Sequence, residues 1–375
     1  MNTTPSLWTA SGPDTASHLS SGLMNSTAVA GPDMTMARQL HYIMSAIVGP
    51  ILCILGFIGN LFSVAVWCRP SMKSSTARYL TGQALADILV LLMFLVCDSA
   101  QAWSPHIIYS LSYGIFFSYI GYPMLFFAVV LSVWITVGLT VDRYIMVCWI
   151  TSSKKYCNEK RAYLGLALIT INSFIINLPH FASFVHVTPE DTPTNSSTEP
   201  QQTFRMTEFG GGAGGQFYEF WIHCIILILI PWVSVLTMNI MIIRKIGQSN
   251  KKTADRKSRD SVKKCRQSEN QITRLLLTVT FAFLVFIGLQ CIIQCFEMQK
   301  PEWADRAQVS SAFAFAKTGI VFNSSLNFVF YCLSGRRFRK EFLRLFRLVK
   351  KDTHSSSNED RSRSSTKRST SSTGI

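Results

Sequence analysis

The sequence predicts an all-α membrane protein, a bundle of seven transmembrane helices followed by a short amphipathic helix on the membrane surface. Of its 375 residues, 48% are hydrophobic and only 15% are charged, whereas soluble domains average about 25% charged residues. The apolar residues are gathered into seven stretches, each near the ~20 residues that cross a bilayer as a helix. The basic residues are concentrated between and after these stretches, as in the loops of a multi-pass protein.

The seven stretches are expected to be helices, because backbone groups in lipid must be hydrogen-bonded within the segment. A membrane β-barrel would need shorter segments of strictly alternating polarity, and the sequence has none. We find no internal repeat of fixed period, which argues against a transporter built from inverted repeats. The predicted spans are 42–67, 77–101, 113–147, 162–185, 217–246, 270–297 and 307–332.

The charge distribution predicts the orientation. The net charge is +15, and 30 of the 36 Lys and Arg lie in the loops after spans one, three and five and in the segment after Gly335. Basic loops stay in the cytoplasm, so the N-terminus is expected outside the cell. We expect the protein to lie in the plasma membrane. This distribution also argues against a nucleic-acid-binding surface. Three predicted glycosylation sites fall on the outer side, at Asn2, Asn25 and Asn195.

The segment after the last span predicts an interfacial helix and a tail. Phe338, Phe342 and Phe346 recur every four residues with Arg between them, a pattern that favours binding to an anionic lipid surface. The Ser/Thr-rich end is expected to be disordered and, once phosphorylated, to bind arrestin. The predicted regions are an extracellular tail (1–41), the seven-helix domain (42–333), the surface helix (334–349) and the cytoplasmic tail (350–375).

The ten cysteines do not form the pattern of a disulfide-rich or metal-binding protein. No Cys precedes Cys53, and none lies between Cys157 and Cys224. Most of the others lie inside apolar stretches, where Cys behaves as a small hydrophobic residue. We therefore expect no cofactor and no metal other than Na⁺.

Polar residues inside the spans are the most informative ones, since each needs a partner in the membrane. Carboxylate, amide and hydroxyl oxygens suit Na⁺ or water, but such groups also join helices through hydrogen bonds alone. The sequence leaves these two interpretations open. The residues concerned are Asn60, Asp87, Ser132, Asn323, Ser324 and Asn327.

The tripeptide Asp142-Arg143-Tyr144 ends the third span at the predicted cytoplasmic face. One interpretation is an ion pair at the lipid interface. The other is a switch, in which a neighbouring acid holds Arg143 and releases it on activation.

Together these motifs resemble the rhodopsin-like (class A) G-protein-coupled receptors over about residues 40–350. The third-span run and its tripeptide resemble the end of that family's third helix, and the other motifs resemble its helices one, two, five and seven. The matching segments are Gly59-Asn60, Leu85-Ala86-Asp87, Trp134 to Tyr144, Pro231 and Asn327 to Tyr331.

The resemblance implies a receptor, not an enzyme, that activates a heterotrimeric G protein. It implies Na⁺ binding at Asp87, Ser132, Asn323 and Asn327. It also implies a coupling switch at the cytoplasmic end, formed by Asp142, Arg143, Tyr144, Ile150 and Tyr331, with Ile150 inserting into the G protein.

Within the family, the run from Asn323 to Cys332 followed by Arg337-Phe338-Arg339 is similar to FMRFamide- and myosuppressin-type neuropeptide receptors. The runs at Trp134 and Trp221 also resemble an orphan branch that senses aromatic amino acids. We favour a short peptide as the ligand, with a small aromatic amino-acid-like ligand as the alternative.

Candidate ligand-binding residues lie in the outer halves of the spans. Asp98 and Lys317 either pair with each other or meet charged groups of a peptide. Leu125 stands where amine receptors carry Asp, which argues against a biogenic amine. The candidates are Asp98, Gln101, Trp103, Leu125, Phe126, His223, Gln294 and Lys317.

Several positions depart from the family pattern. Ser118 stands where the family has the disulfide Cys of helix three, and a hexad of mostly glycine at 210–215 predicts a flexible second outer loop. The sixth span lacks the usual Trp and Pro, Asn239 replaces the Tyr of helix five, and Phe328 replaces the Pro near the end of helix seven.

A photoreceptor is a further alternative, because a Lys in the last span can carry a retinal Schiff base. The opsin lysine lies six residues before the Asn of its helix-seven motif. Lys317 lies ten residues before Asn327, about one helical turn too far, which argues against this interpretation.

Overall fold

The computed structural model describes residues 32–188, 202–254 and 306–346, together with 277, 280–282, 284–289 and 292–293. Five helices in this part of the chain are long and apolar enough to cross a membrane. The helices are α1 (Met36–Trp67), α2 (Ser75–Trp103), α3 (Leu111–Cys148), α4 (Glu159–Ala182), α5 (Cys224–Gln248), the shorter α6 (Thr280–Leu289), α7 (Arg306–Ser334) and α8 (Arg336–Leu345).

Most of the long helices change geometry along their length. Their α-helical segments are Pro32–Ile43, Gly49–Trp67, Ser75–Phe94, Ala100–Trp103, Leu111–Phe116, Tyr122–Cys148, Glu159–Ile176 and Ile230–Ala254. Wider π-helical segments interrupt or precede them at Met44–Val48, Leu95–Ser99, Phe117–Gly121 and Tyr218–Leu229. Short 3₁₀ turns lie at Pro70–Met72, Pro105–Tyr109 and Leu178–Ala182, and a separate helix spans Ile150–Tyr156.

Capping residues explain where two of the spans begin. The Ser74 hydroxyl accepts a hydrogen bond from the Ala77 amide at 3.1 Å, and the Asn158 side chain accepts one from the Arg161 amide at 3.0 Å. Each cap satisfies an amide that the first helical turn leaves without a partner. These caps start α2 and α4 and end the loops that precede them.

The core of the bundle lies where α3 meets α5 and α6. Val130 and Val133 of α3 pack with Val235 of α5 and with Leu284 and Ile287 of α6, all of them buried. Large apolar side chains on the opposite faces are exposed, which is expected of helices whose outer surface meets lipid. Examples are Ile54, Leu55, Leu164, Leu168, Leu229 and Ile243.

Phe328 packs where α7 touches α1. A Cβ added at Gly59 would lie 2.9 Å from the Phe328 Cβ, closer than packed carbon atoms tolerate. The Phe62 ring lies 6.0 Å from the Phe328 ring. The phenylalanine that replaces the family's usual proline is therefore part of a close α1–α7 contact.

The segment between α4 and α5 differs from its prediction. The fourth span ends in a 3₁₀ turn at Ala182, and strands β1 (Phe184–His186) and β2 (Phe204–Met206) then pair antiparallel, with Val185 opposite Arg205. The glycine hexad that the sequence predicts to be flexible lies in and between two short helices, Glu208–Gly211 and Ala213–Phe217. The Thr207 hydroxyl caps the first of them by accepting from the Gly210 amide at 3.0 Å.

The start of the first span differs from its prediction. The helical segment that leads into α1 begins at Pro32, ten residues before the predicted start. The helix α8 forms a unit of its own, in which the Phe338 and Phe342 rings stack 6.5 Å apart and Arg344 pairs with Glu341. The predicted glycosylation sites Asn2, Asn25 and Asn195 and all of the predicted cytoplasmic tail (350–375) lie outside the described residues.

Candidate functional site

Asp87 is the centre of a buried polar network that joins α2, α3 and α7. Its carboxylate accepts hydrogen bonds from the Ser132 hydroxyl at 2.8 Å and from the Asn327 side-chain amide at 2.6 Å. Ser324, buried on α7, joins the network through its backbone carbonyl, which accepts from the Asn60 side-chain amide at 2.9 Å. All four side chains are buried. The structure therefore brings together four of the six residues predicted from the polar positions.

Gln83 is a member of this network that sequence reasoning missed. Its side-chain amide donates to Asp87 at 3.1 Å and to Ser132 at 2.6 Å, and its carbonyl oxygen accepts from Thr136 at 3.1 Å. The signal was its position four residues before Asp87, which places both side chains on one face of α2.

Asn60 extends the network to α1. Its side-chain amide donates to the carbonyl oxygens of Gly56 and Ser324, each at 2.9 Å. Its own carbonyl oxygen is buried, with no hydrogen-bond partner among the described residues. Asn323, the remaining predicted member, is half-buried on α7, and no hydrogen bond between described residues joins it to Asp87.

Asp98 and Lys317, the two charged residues predicted in the outer halves of the spans, contact each other. The Lys317 ammonium of α7 forms an ion pair with the Asp98 carboxylate of α2. Only 20% of the Lys317 side chain and 17% of the Asp98 side chain are exposed. Of the two interpretations left open by the sequence, the structure therefore contains the internal pair.

Two residues of α1 complete the surroundings of this pair, and sequence reasoning missed both. The Lys317 ammonium lies 3.3 Å from the His41 Nε2 and 3.4 Å from the Ser45 hydroxyl. The ammonium also lies 5.9 Å from the centre of the Phe94 ring. His41 and Ser45 are four residues apart, which is the spacing of one helix face.

The other described ligand candidates make contacts of their own. The Trp103 indole donates to the Ala46 carbonyl at 2.7 Å, and the Gln101 amide donates to the Tyr113 hydroxyl at 3.0 Å. Leu125 packs against an aromatic cluster at the top of α3. Gln294 and the side chain of His223 lie outside the described residues.

Phe126 belongs to an aromatic group around a histidine that was not predicted. Its ring stacks on the fully buried His180 ring at 4.3 Å. The rings of Tyr122 and Tyr218 approach the same imidazole edge-on, at 5.5 Å and 5.2 Å. The sequence offered only a histidine beside Pro179, with no periodic signal.

At the other end of the bundle, Arg143 is held beside an acid. Its guanidinium lies 3.9 Å from the Asp142 carboxylate, which also accepts a hydrogen bond from the Thr76 hydroxyl at 2.6 Å. Burial, and then the nearby Asp142 charge, raise the pKa of the Cys157 thiol to about 12. The neutral thiol donates to the Asp142 backbone carbonyl at 3.6 Å, so α2, α3 and the following loop all converge on Asp142.

A small cavity adjoins Arg143 between α3, α5 and α6. Its lining residues are Leu139, Thr140, Arg143, Asn239, Ile242, Leu277 and Thr280. The Asn239 side chain donates to the Thr280 hydroxyl at 2.7 Å, and the Trp232 indole donates to the Leu284 carbonyl at 3.1 Å. The asparagine that replaces the family's tyrosine thus ties α5 to α6 at this cavity.

The remaining predicted switch residues differ in exposure. Ile150 is 66% exposed at the start of the loop helix. The Tyr144 ring lies 6.1 Å from that of Trp149. Tyr331 is buried, and its ring meets the edge of Trp67 of α1 at 5.5 Å.

Comparisons with known proteins identify the family. The protein-family model described as "7 transmembrane receptor (rhodopsin family)" matches residues 59–331 of this chain. The chain is 23% identical over 322 residues to the FMRFamide receptor of Drosophila melanogaster, which covers 82% of this chain and 55% of that receptor. It is 24% identical over 320 residues to the Sex peptide receptor of Drosophila melanogaster, covering 81% of this chain and 73% of that protein.

A vertebrate protein is similar to the same degree. Neuromedin-U receptor 2 of Homo sapiens is 22% identical over 330 residues, covering 85% of this chain and 75% of that receptor. The family match extends from α1 to α7 and confirms both the resemblance predicted from the motifs and the seven-helix fold class. This chain belongs to the rhodopsin family of seven-transmembrane receptors.

Proposed function

We propose that this protein is a plasma-membrane receptor that binds a short extracellular neuropeptide and activates a heterotrimeric G protein. The relatives whose names state a ligand are named for peptides, which supports a peptide over a free aromatic amino acid. The proposed orientation places the N-terminus and the β1–β2 hairpin outside, and Arg143 and α8 in the cytoplasm.

The observation that carries the proposal is the arrangement at Arg143. An arginine held by Asp142 lies beside a cavity that the Asn239–Thr280 hydrogen bond closes between α5 and α6. In a two-state bundle, a ligand that favours an open state would separate α6 from α5 and free Arg143 to contact the G protein. The exposed Ile150 is then free to insert into that partner.

The peptide is proposed to bind around the Asp98–Lys317 pair, whose charges are partly exposed. A peptide with a basic side chain and a polar C-terminal group would replace each partner of the pair with one of its own groups. This exchange would make binding depend on both residues, because a charge left alone in such a site is costly.

Nucleotide exchange on G proteins tests this function. Membranes containing the full chain are challenged with pooled amidated neuropeptides in one arm and with free aromatic amino acids in the other. We expect a response to peptide that disappears in Arg143→Ala at equal surface expression. A response only to amino acids would replace the peptide proposal, and a peptide response that survives Arg143→Ala would overturn the switch.

We also propose Na⁺ as an allosteric ion at the Asp87 network. Its oxygen atoms suit a hard cation. The buried Asn60 side-chain oxygen, which has no hydrogen-bond partner among the described residues, could bind a further ligand nearby. The Asp87 carboxylate already accepts from Gln83, Ser132 and Asn327.

Replacing Asp87 with asparagine should abolish the effect of Na⁺ on agonist affinity, because the amide cannot supply the charge that binds the ion. The measurement is agonist competition binding in Na⁺ against a large organic cation at equal ionic strength. Thr81→Val, which removes a hydroxyl on α2 that bonds only to the Ala77 carbonyl of its own helix, serves as the control and should retain the effect. Unchanged Na⁺ sensitivity in Asp87→Asn would contradict Na⁺ binding at the Asp87 network.

Membrane lipids and arrestin are proposed as further partners. The Phe338 and Phe342 rings of α8 and the Phe346 ring just after it follow one another, with Phe342 and Phe346 5.2 Å apart. Arginines flank them, a composition that suits an anionic leaflet. The arrestin proposal depends on the Ser/Thr-rich tail and its phosphorylation.

A further inference from the structure

No disulfide bond connects the hairpin of β1 and β2 to the helix bundle. The hairpin lies between Cys157 and Cys224, a segment without cysteine, so no disulfide can anchor it. Its strands are only three residues each, which is too short to be stable alone. Something else must therefore hold the hairpin against the helices.

Hydrogen bonds from one residue connect β2 to the loop before α3. The Thr203 amide donates to the Ile108 carbonyl at 3.1 Å. The Thr203 hydroxyl lies 3.0 Å from the same carbonyl and 2.9 Å from that of Ser110. The amide and the hydroxyl of Thr203 thus both bind carbonyl groups of the turn Pro105–Tyr109 or of Ser110, the residue that follows it.

A glycine permits this approach. A Cβ at Gly114, in the first turn of α3, would lie 2.5 Å from the Thr203 carbonyl oxygen and 2.9 Å from its carbon. Backbone atoms cannot retreat as the end of a flexible side chain can, so any larger residue would push β2 away from α3.

Aromatic packing completes the contact. Phe204 is buried, and its ring lies 4.5 Å from that of Phe117 and 6.4 Å from that of Tyr113. The Phe184 ring of β1 meets Phe117 edge-on at 5.4 Å. Ring pairs at these separations attract beyond the effect of area alone.

The same cluster reaches the segment that carries Asp98. The Tyr113 hydroxyl donates to the Val96 carbonyl at 3.1 Å and accepts from the Gln101 amide. Val96 lies in the π-helical segment Leu95–Ser99, which contains Asp98 and the buried Cys97. The Tyr113 side chain therefore joins the hairpin to the Asp98 segment.

We propose that Gly114, Thr203, Phe204 and Tyr113 form a noncovalent clasp that fixes the hairpin to α3 and positions the Asp98 segment for ligand recognition. The four are positioning residues rather than residues that need to touch the ligand. The ligand part rests on the proposed function, whereas the clasp itself depends only on the contacts above.

Reaction of Cys97 with a water-soluble maleimide tests the clasp without any ligand. Open membrane fragments holding the full chain are labelled briefly, and the Cys97 peptide is quantified by mass spectrometry, with Cys97→Ala as the zero. Phe204→Ala and Gly114→Ala should react at least about tenfold faster than the wild type, because local opening exposes the buried thiol. Matched controls are Phe217→Ala, an exposed aromatic, and Gly247→Ala, whose Cβ meets open space.

Two conservative variants of Thr203 control for general misfolding. Thr203→Val keeps the shape but cannot donate a hydroxyl proton, and it should also speed Cys97 labelling, whereas Thr203→Ser should react like the wild type. Dithiothreitol added before labelling and then washed out of the membranes, because it would otherwise consume the maleimide, should not change the wild-type rate. Equal rates in all variants, or a rate raised by dithiothreitol in the wild type, would overturn the clasp.

Agonist potency separates this proposal from the proposed function. With an activating peptide, Thr203→Val should shift the concentration for half-maximal response upward by about tenfold and leave the maximal response unchanged. Faster labelling with an unchanged potency would overturn the positioning role. Faster labelling in a protein that no peptide activates would uphold the clasp and count against the peptide receptor.

Discussion

Replacing Lys317 with alanine is expected to lower the thermal stability of the receptor and to abolish high-affinity ligand binding. The change leaves the Asp98 carboxylate, 17% exposed, without its cation. Removing one partner of a fully buried pair costs about 3–5 kcal/mol, and the partial exposure of this pair reduces the loss to about 2 kcal/mol. At roughly 2–4 °C per kcal/mol, the unfolding midpoint of the solubilised protein should fall by about 4–8 °C.

The double variant Asp98→Asn/Lys317→Met separates the pair from other roles of the lysine. It removes both charges, so most of the lost stability should return while ligand binding stays impaired. Lys154→Ala changes an exposed lysine in the loop helix and is the matched control, with no expected shift. A double variant as unstable as Lys317→Ala would contradict the pairing as the source of the effect.

Replacing Asp142 with asparagine is expected to raise ligand-independent nucleotide exchange by about tenfold. The variant removes the negative charge that lies 3.9 Å from the Arg143 guanidinium. A hydrogen bond or pair to a charged group contributes about 1.5–3 kcal/mol, and its loss shifts a two-state bundle toward the state in which Arg143 is free. The measurement is nucleotide exchange without ligand, at matched surface expression.

Thr76 provides a graded control for this result. Thr76→Val removes the hydroxyl that donates to Asp142 at 2.6 Å but keeps the carboxylate, so the rise should be smaller. Thr76→Ser keeps the hydroxyl and should behave like the wild type. If Asp142→Asn has the basal activity of the wild type, Asp142 does not restrain Arg143.

The fold was predictable because the membrane imposes it. Long apolar stretches and basic loops determined the spans to within a few residues for α2, α3 and α7, since lipid requires helices of about this length. The helical segment that leads into α1 starts at Pro32 rather than at 42, because a polar segment can continue a helix beyond the apolar part. The two short helices at the glycine hexad were not predicted, since composition alone does not reveal the Thr207 cap at the start of the first one.

The candidate site was predictable only in part. Asp87, Ser132, Ser324 and Asn327 could be grouped because polar residues inside apolar spans need partners. Gln83, His41 and Ser45 were missed, although helical spacing relates Gln83 to Asp87 and His41 to Ser45. The His180 ring and the Thr203–Gly114 contact depend on tertiary packing between distant segments, and no local pattern indicates them.

In the proposed receptor, one site binds a peptide and a second site, at Arg143, responds to it. The most direct test is the affinity of an activating peptide measured with and without nucleotide-free G protein. Coupled sites change each other's affinity by the same factor, typically about 5–150-fold. We predict a peptide affinity raised within this range by the G protein in the wild type and unchanged in Arg143→Ala. An affinity in the wild type that is the same with and without the G protein would contradict the account.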